Sequence, residues 1–112
     1  MGADTCRAFD LANEVDGIDA TQSRHGHTAK TLVSYDNLRV VLIVLKAGSH
    51  IPSHRTEGCI SIHTVRGRIR VRAEERTFDL QAGSLVALNH DVPHDVDALE
   101  ESAFLLTIGR AS

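Results

Sequence analysis

Tryptophan is absent from this 112-residue chain, and only three phenylalanines and one tyrosine make up its aromatic content. An interior built from it is filled mostly by valine, isoleucine and leucine. The longest apolar run, residues 40–45, falls far short of the ~20 residues that a membrane-spanning helix needs. A charged-then-apolar start of the secretory type is missing too, so the cytoplasm is the expected location and no membrane partner is expected. Net charge is only −3, which gives no general pull toward nucleic acid or anionic lipid. The two cysteines, Cys6 and Cys59, lack redox or zinc spacing and read as reduced thiols. No glycine-rich phosphate loop, nucleophile elbow or Ser/His/Asp pattern stands out, which removes the common nucleotide-binding and hydrolase readings.

What the chain does contain is one short β-pattern after another. Its apolar and charged contents, 42% and 24%, are ordinary for a folded domain. A single domain of this length buries about two-thirds of the surface its unfolded chain exposes. Residues 6–15 suit a short helix or turn, and residues 17–27 read as loop. Residues 39–45 are a nearly unbroken aliphatic run, the mark of a strand covered on both faces. Residues 60–65 form the next strand. Residues 68–72 then alternate, with Arg68, Arg70 and Arg72 on one face and Ile69 and Val71 on the other; a short connection at 73–76 returns through 77–80 as a hairpin. The arginine row reads as a solvated face. Strands at 84–88, 94–98 and 102–108 complete a pattern punctuated at the spacing of an all-β sandwich or barrel. The expected division is an irregular N-terminal arm over residues 1–27 and a barrel over residues 28–112.

Seven histidines invite a metal or ligand reading. His50 and His54 are four apart, as are His90 and His94, but Pro52 and Pro93 fall inside the intervals and argue against helix. On an extended strand four residues span about 13 Å, too far for both members of a pair to reach one ion. One histidine from each pair is the credible combination, and His54 and His94 sit at the strand-like ends. His63 alternates to the opposite parity from Ile62, while His25, His27 and His90 fall in expected loops, so these four are assigned to solvent or an interface.

Two segments carry a family resemblance: residues 48–67, GSHIPSHRTEGCISIHTVRG, and residues 83–94, GSLVALNHDVPH. They resemble the two sequence motifs of the cupin superfamily, small all-β jelly-roll barrels. In the first motif Gly48, His54 and Gly67 stand in register, while Thr56 takes the second histidine's place and Ile60 that of the glutamate. In the second, Gly83 and His94 are in register, and Asn89, Asp91 and Ala98 replace a proline, a glycine and an asparagine. The resemblance runs over residues 32–108 and implies a single-domain cupin barrel with degenerate metal-binding motifs, assembled as a homodimer.

Two of the four metal ligands usual in the family remain. Two imidazoles lack the carboxylate of a non-haem iron triad and fall short of the three protein ligands of catalytic zinc. The expected function is small-molecule binding in a barrel cavity without a complete metal site, with His54, His94, Thr56, Ile60 and Ile62 as the ligand-binding residues. His54 and His94 are also the only two residues of an incomplete metal site, so a divalent metal cofactor is the less favoured expectation. The alternatives are a metal-dependent cupin enzyme of dioxygenase or isomerase type, with His50 or Glu57 joining the pair, and a non-catalytic structural or interaction protein.

Overall fold

The computed structural model describes residues 5–20 and 23–110. Residues 1–4, 21 and 22 of the expected arm, and residues 111 and 112 of the expected barrel, lie outside the described residues. Among the described residues one short helix, α1 (Leu11–Asp16), precedes nine strands: β1 (His27–Ser34), β2 (Leu38–Leu45), β3 (His50–His54), β4 (Cys59–Arg66), β5 (Arg68–Ala73), β6 (Arg76–Gln81), β7 (Leu85–Leu88), β8 (His94–Ala98) and β9 (Ser102–Gly109). They pair antiparallel in two sheets, one in the order β1-β2-β9-β4-β7 and the other β3-β8-β5-β6. This is the expected jelly-roll barrel.

Alternation along each strand sorts its side chains between the core and solvent. Ile69, Val71, Val96 and Ala98 face inward from the four-stranded sheet and meet Ile60, Ile62, Phe104 and Ile108 of the other. The outward residues of the same strands form a charged face. Arg70 pairs with Asp79, and Arg72 reaches both Asp95 and Asp97. Such exposed pairs add little stability singly, but they give Arg70 and Arg72 carboxylate partners on the same face.

The five-stranded sheet is covered on its outer face as well. Leu42 and Val44 of β2 and Ala103 of β9 join Leu32, Val15 and Ala20 in a second buried cluster. Val15 and Ala20, from the expected arm, thus pack on the outer face of this sheet. Asp10 caps α1 by accepting a hydrogen bond from the Asn13 amide, and Val15 is the helix residue that is fully buried. This explains why residues 39–45 read as a strand apolar on both faces.

The motif glycines occupy tight corners. Gly48, Gly67 and Gly83 all have positive φ, at 82°, 77° and 94°. At Gly67 a side chain would also run into the Glu101 carbonyl and the Ser102 hydroxyl. Asp91 stands where the second motif has a glycine, and it keeps the left-handed conformation, at φ 60°. Aspartate is among the few residues that tolerate it.

Candidate functional site

His54 closes β3 and His94 opens β8, and the two are directly opposite in the ladder between those strands. Their rings stand 4.4 Å apart between centroids, tilted by 57°. A bulge makes this meeting happen. Ile51 pairs with Val96 and His54 with His94, so two residues of β3, Pro52 and Ser53, oppose the single Asp95 of β8. The extra residue returns His54 to the inward face that Ile51 already occupies. Pro52 is tolerated there because β3 is an edge strand.

Each ring is anchored the same way. The Nδ1–H of His54 donates to the Pro52 carbonyl at 3.1 Å, and that of His94 to the Val92 carbonyl at 2.9 Å. A carbonyl oxygen only accepts, so the Nδ1 of each neutral ring carries the proton and its Nε2 remains an acceptor. The two histidines differ in depth. His94 is 3% exposed, whereas His54 is open to solvent. Burial pushes the pKa of His94 below the ordinary histidine range; the Val92 carbonyl opposes this, His54 adds to it, and Asp95 opposes it.

The pair forms one side of a cavity of about 150 Å³ between the two sheets. Ile51, His54, His94 and Val96 line it from the four-stranded sheet; the other sheet contributes chiefly Ile43, Ile62, Phe104 and Leu106. His27 and Ala29 complete the wall from β1. Of the residues anticipated for a ligand, His54, His94 and Ile62 reach this wall. Ile60 packs in the core cluster without lining the cavity, and Thr56 lies in the loop after β3, where its carbonyl accepts from the Asp91 amide.

His27 is the correction. Expected in a loop facing solvent, it heads β1, pairs with Leu45 across β2 and lines the cavity. Its Nδ1 is buried without a hydrogen-bond partner among the described residues. With β1 beginning at His27, that residue falls on the same face as Ala29. His50 turns outward to Asp97, with Nδ1 2.6 Å from a carboxylate oxygen. Burial alone would raise the pKa of Asp97, but hydrogen bonds from His50 and Arg72 outweigh it and hold the carboxyl below its ordinary range. His90 is exposed beside Asn89, and the Cys59 thiol is exposed within 3.3 Å of the Asn89 side chain.

Residues 40–108 match the AraC-like ligand binding domain family. The chain belongs to this family. Its barrel is that of the cupins more widely. A cupin superfamily protein from Desulfitobacterium hafniense superposes with a TM-score of 0.78 at 12% identity, over 87% of each chain. An RmlC-like cupin from Shewanella frigidimarina gives 0.74 at 19% identity, over 80% of this chain and 81% of that one. Salicylate 1,2-dioxygenase from Pseudoaminobacter salicylatoxidans, solved as adducts with gentisate, gives 0.72 at 22% identity, over 88% of this chain and 29% of that one. At such identities the likeness is one of fold. No curated protein matches the chain.

The donor set of this AraC-like domain does not fit a resident metal. No group of three His, Cys, Asp or Glu side chains able to hold an ion forms among the described residues. Ile60, at the family's glutamate position, is a hydrocarbon buried in the core. His50 is held outward by Asp97, and Glu57 is exposed and outside the cavity wall.

Proposed function

We propose that this chain is a small-molecule-binding cupin whose ligand occupies the cavity between the sheets. One observation carries the reading: a largely apolar space of about 150 Å³ has two imidazoles at one side, each fixed by a backbone carbonyl so that an acceptor is left over. Ligand sites have this composition, an apolar wall with a few placed polar groups. The family description, ligand binding, points the same way. His54, His94 and Ile62 are the contacts this reading assigns, with Ile60 supporting the wall from behind. The same reading takes the chain as a cytoplasmic homodimer, and sedimentation gives the test: a monomer at micromolar concentration overturns the dimer.

Amide chemical shifts followed during titration with a library of neutral fragments test the binding role. Shifts are expected at Ile62, His94 and Val96, and they should vanish in Ala29→Phe, which places a ring at an exposed position on the cavity wall. Shifts confined to the outer face, or unchanged in Ala29→Phe, refute it. Stoichiometric metal in protein purified without added metal, lost in His54→Ala, would favour the metal-dependent enzyme instead.

A further inference from the structure

The cavity wall has a chemical bias that its size sharpens. Its only polar side chains are the imidazoles of His27, His54 and His94, and no Asp, Glu, Lys or Arg lines it among the described residues. No permanently charged side chain there offsets a ligand's charge, and an unpaired charge taken out of water is costly. The Nδ1–H groups of His54 and His94 are already given to the Pro52 and Val92 carbonyls. With the rings 4.4 Å apart, these two histidines present two acceptors side by side and no free donor. A space of about 150 Å³ is the size that, lined by aliphatic and aromatic side chains, admits benzene.

We propose that the ligand is a neutral single-ring compound with adjacent hydroxyl donors, of the catechol class, its hydroxyls facing His54 and His94 and its ring lying against Ile62, Val96 and Phe104. This rests on the cavity being the binding site. Two neighbouring O–H groups match two neighbouring acceptors, and a planar ring suits an apolar slot between two sheets. At His54 and His94 a carboxylate would meet lone pairs, leaving only the single N–H of a neutral His27, on the other sheet, to replace its hydration. A ring without donors would strip water from both acceptors and give nothing back.

Calorimetric titration of the intact chain at pH 7.5 with catechol, phenol, fluorobenzene and benzoate separates these cases. Catechol should bind tightest, then phenol, then fluorobenzene, each hydroxyl contributing about three- to tenfold in Kd, with benzoate weakest. His54 is exposed, so His54→Leu should fold normally by circular dichroism; it should shrink the catechol-over-phenol step to within about twofold, the loss of one net hydrogen bond, and tighten fluorobenzene, which no longer strips water from that acceptor. Fluorobenzene binding as tightly as catechol, with cavity amides shifting, would overturn the donor-reading while leaving the cavity as a ligand site. Benzoate binding tightest would overturn it on charge. If no ring compound perturbs the cavity amides, this inference and the binding role fall together.

Discussion

Protonation of His94 gives a stability test whose sign is fixed by where the ring sits. The ring is 3% exposed, and burial lowers its pKa from the ordinary value of 6.5. Above that value both folded and unfolded chains hold the ring neutral, and the native state keeps its full stability. As pH falls below about 6.5 the unfolded chain takes up a proton that the folded chain still refuses, so stability drops until the folded pKa is reached. The slope is at most one proton, about 1.4 kcal/mol per pH unit. With a urea m-value of about 1–3 kcal/mol/M, the unfolding midpoint should fall by about 0.5–1.4 M for each unit in that window. His94→Asn is the matched control. Its side-chain amide can still donate to the Val92 carbonyl but does not titrate. Urea unfolding of both proteins from pH 8 to pH 5 should show the advantage of wild type over variant shrinking as the solution is acidified. Asp79 and Asp97, both held low, remain charged in the folded chain throughout this range and contribute equally to both proteins. A difference between the two proteins that stays flat with pH, or that grows on acidification, refutes the placement of a neutral buried imidazole.

The turn joining β5 to β6 puts Glu74 and Glu75 at φ 52° and 65°, a conformation that favours Asn-Gly. Replacing the pair by Asn-Gly should stabilise the domain by about 1–2 kcal/mol, read as a rise of several degrees in Tm; an unchanged or lower Tm counts against a strained turn. Gly67→Ala should cost more than Gly83→Ala, because both are left-handed but only Gly67 abuts backbone, at Glu101 and Ser102. The expected losses are more than about 2 kcal/mol against about 1 kcal/mol, and equal losses in denaturant melts would contradict the close approach. Ser102→Ala should lose about 1–3 kcal/mol, because the buried Ser102 hydroxyl accepts from the Arg68 amide at 3.0 Å and lies 2.7 Å from the Glu100 carbonyl. A change within about 0.5 kcal/mol would mean that water replaces it.

Much of the fold was readable because strand parity leaves a direct imprint. Ile69 and Val71 alternate with arginines, and residues 39–45 are apolar on both faces because two separate clusters claim them. The convergence of His54 and His94 followed from the spacing and the two prolines. Other features depend on pairing that a single strand does not display. The pattern marks only the strand-like end of β3 at His54, because His50, Pro52 and Ser53 carry little β-propensity; the partner β8 supplies the ladder. His27 reads as a loop residue facing solvent or an interface because nothing in Arg24-His25-Gly26-His27 marks where β1 begins; its pairing with Leu45 is what brings it to the cavity. The arm's docking was equally hidden, since Val15 and Ala20 are an ordinary apolar pair until the outer face of β2 and β9 gives them somewhere to go.

The bulge gives β3 one residue more than an even pleat needs between Ile51 and His54. Trimming Ser53 would restore an even pleat, with Pro52 opposite Asp95 and His54 still opposite His94, so the imidazole would stay on the inward face while Ile51 and Val96 kept their pairing. An edge strand can absorb such a slip, because it has a neighbour on one side only. The rim of the barrel can thus shed its bulge and still aim the same imidazole at the interior, so length there is freer to vary than the identity of the residue that meets His94.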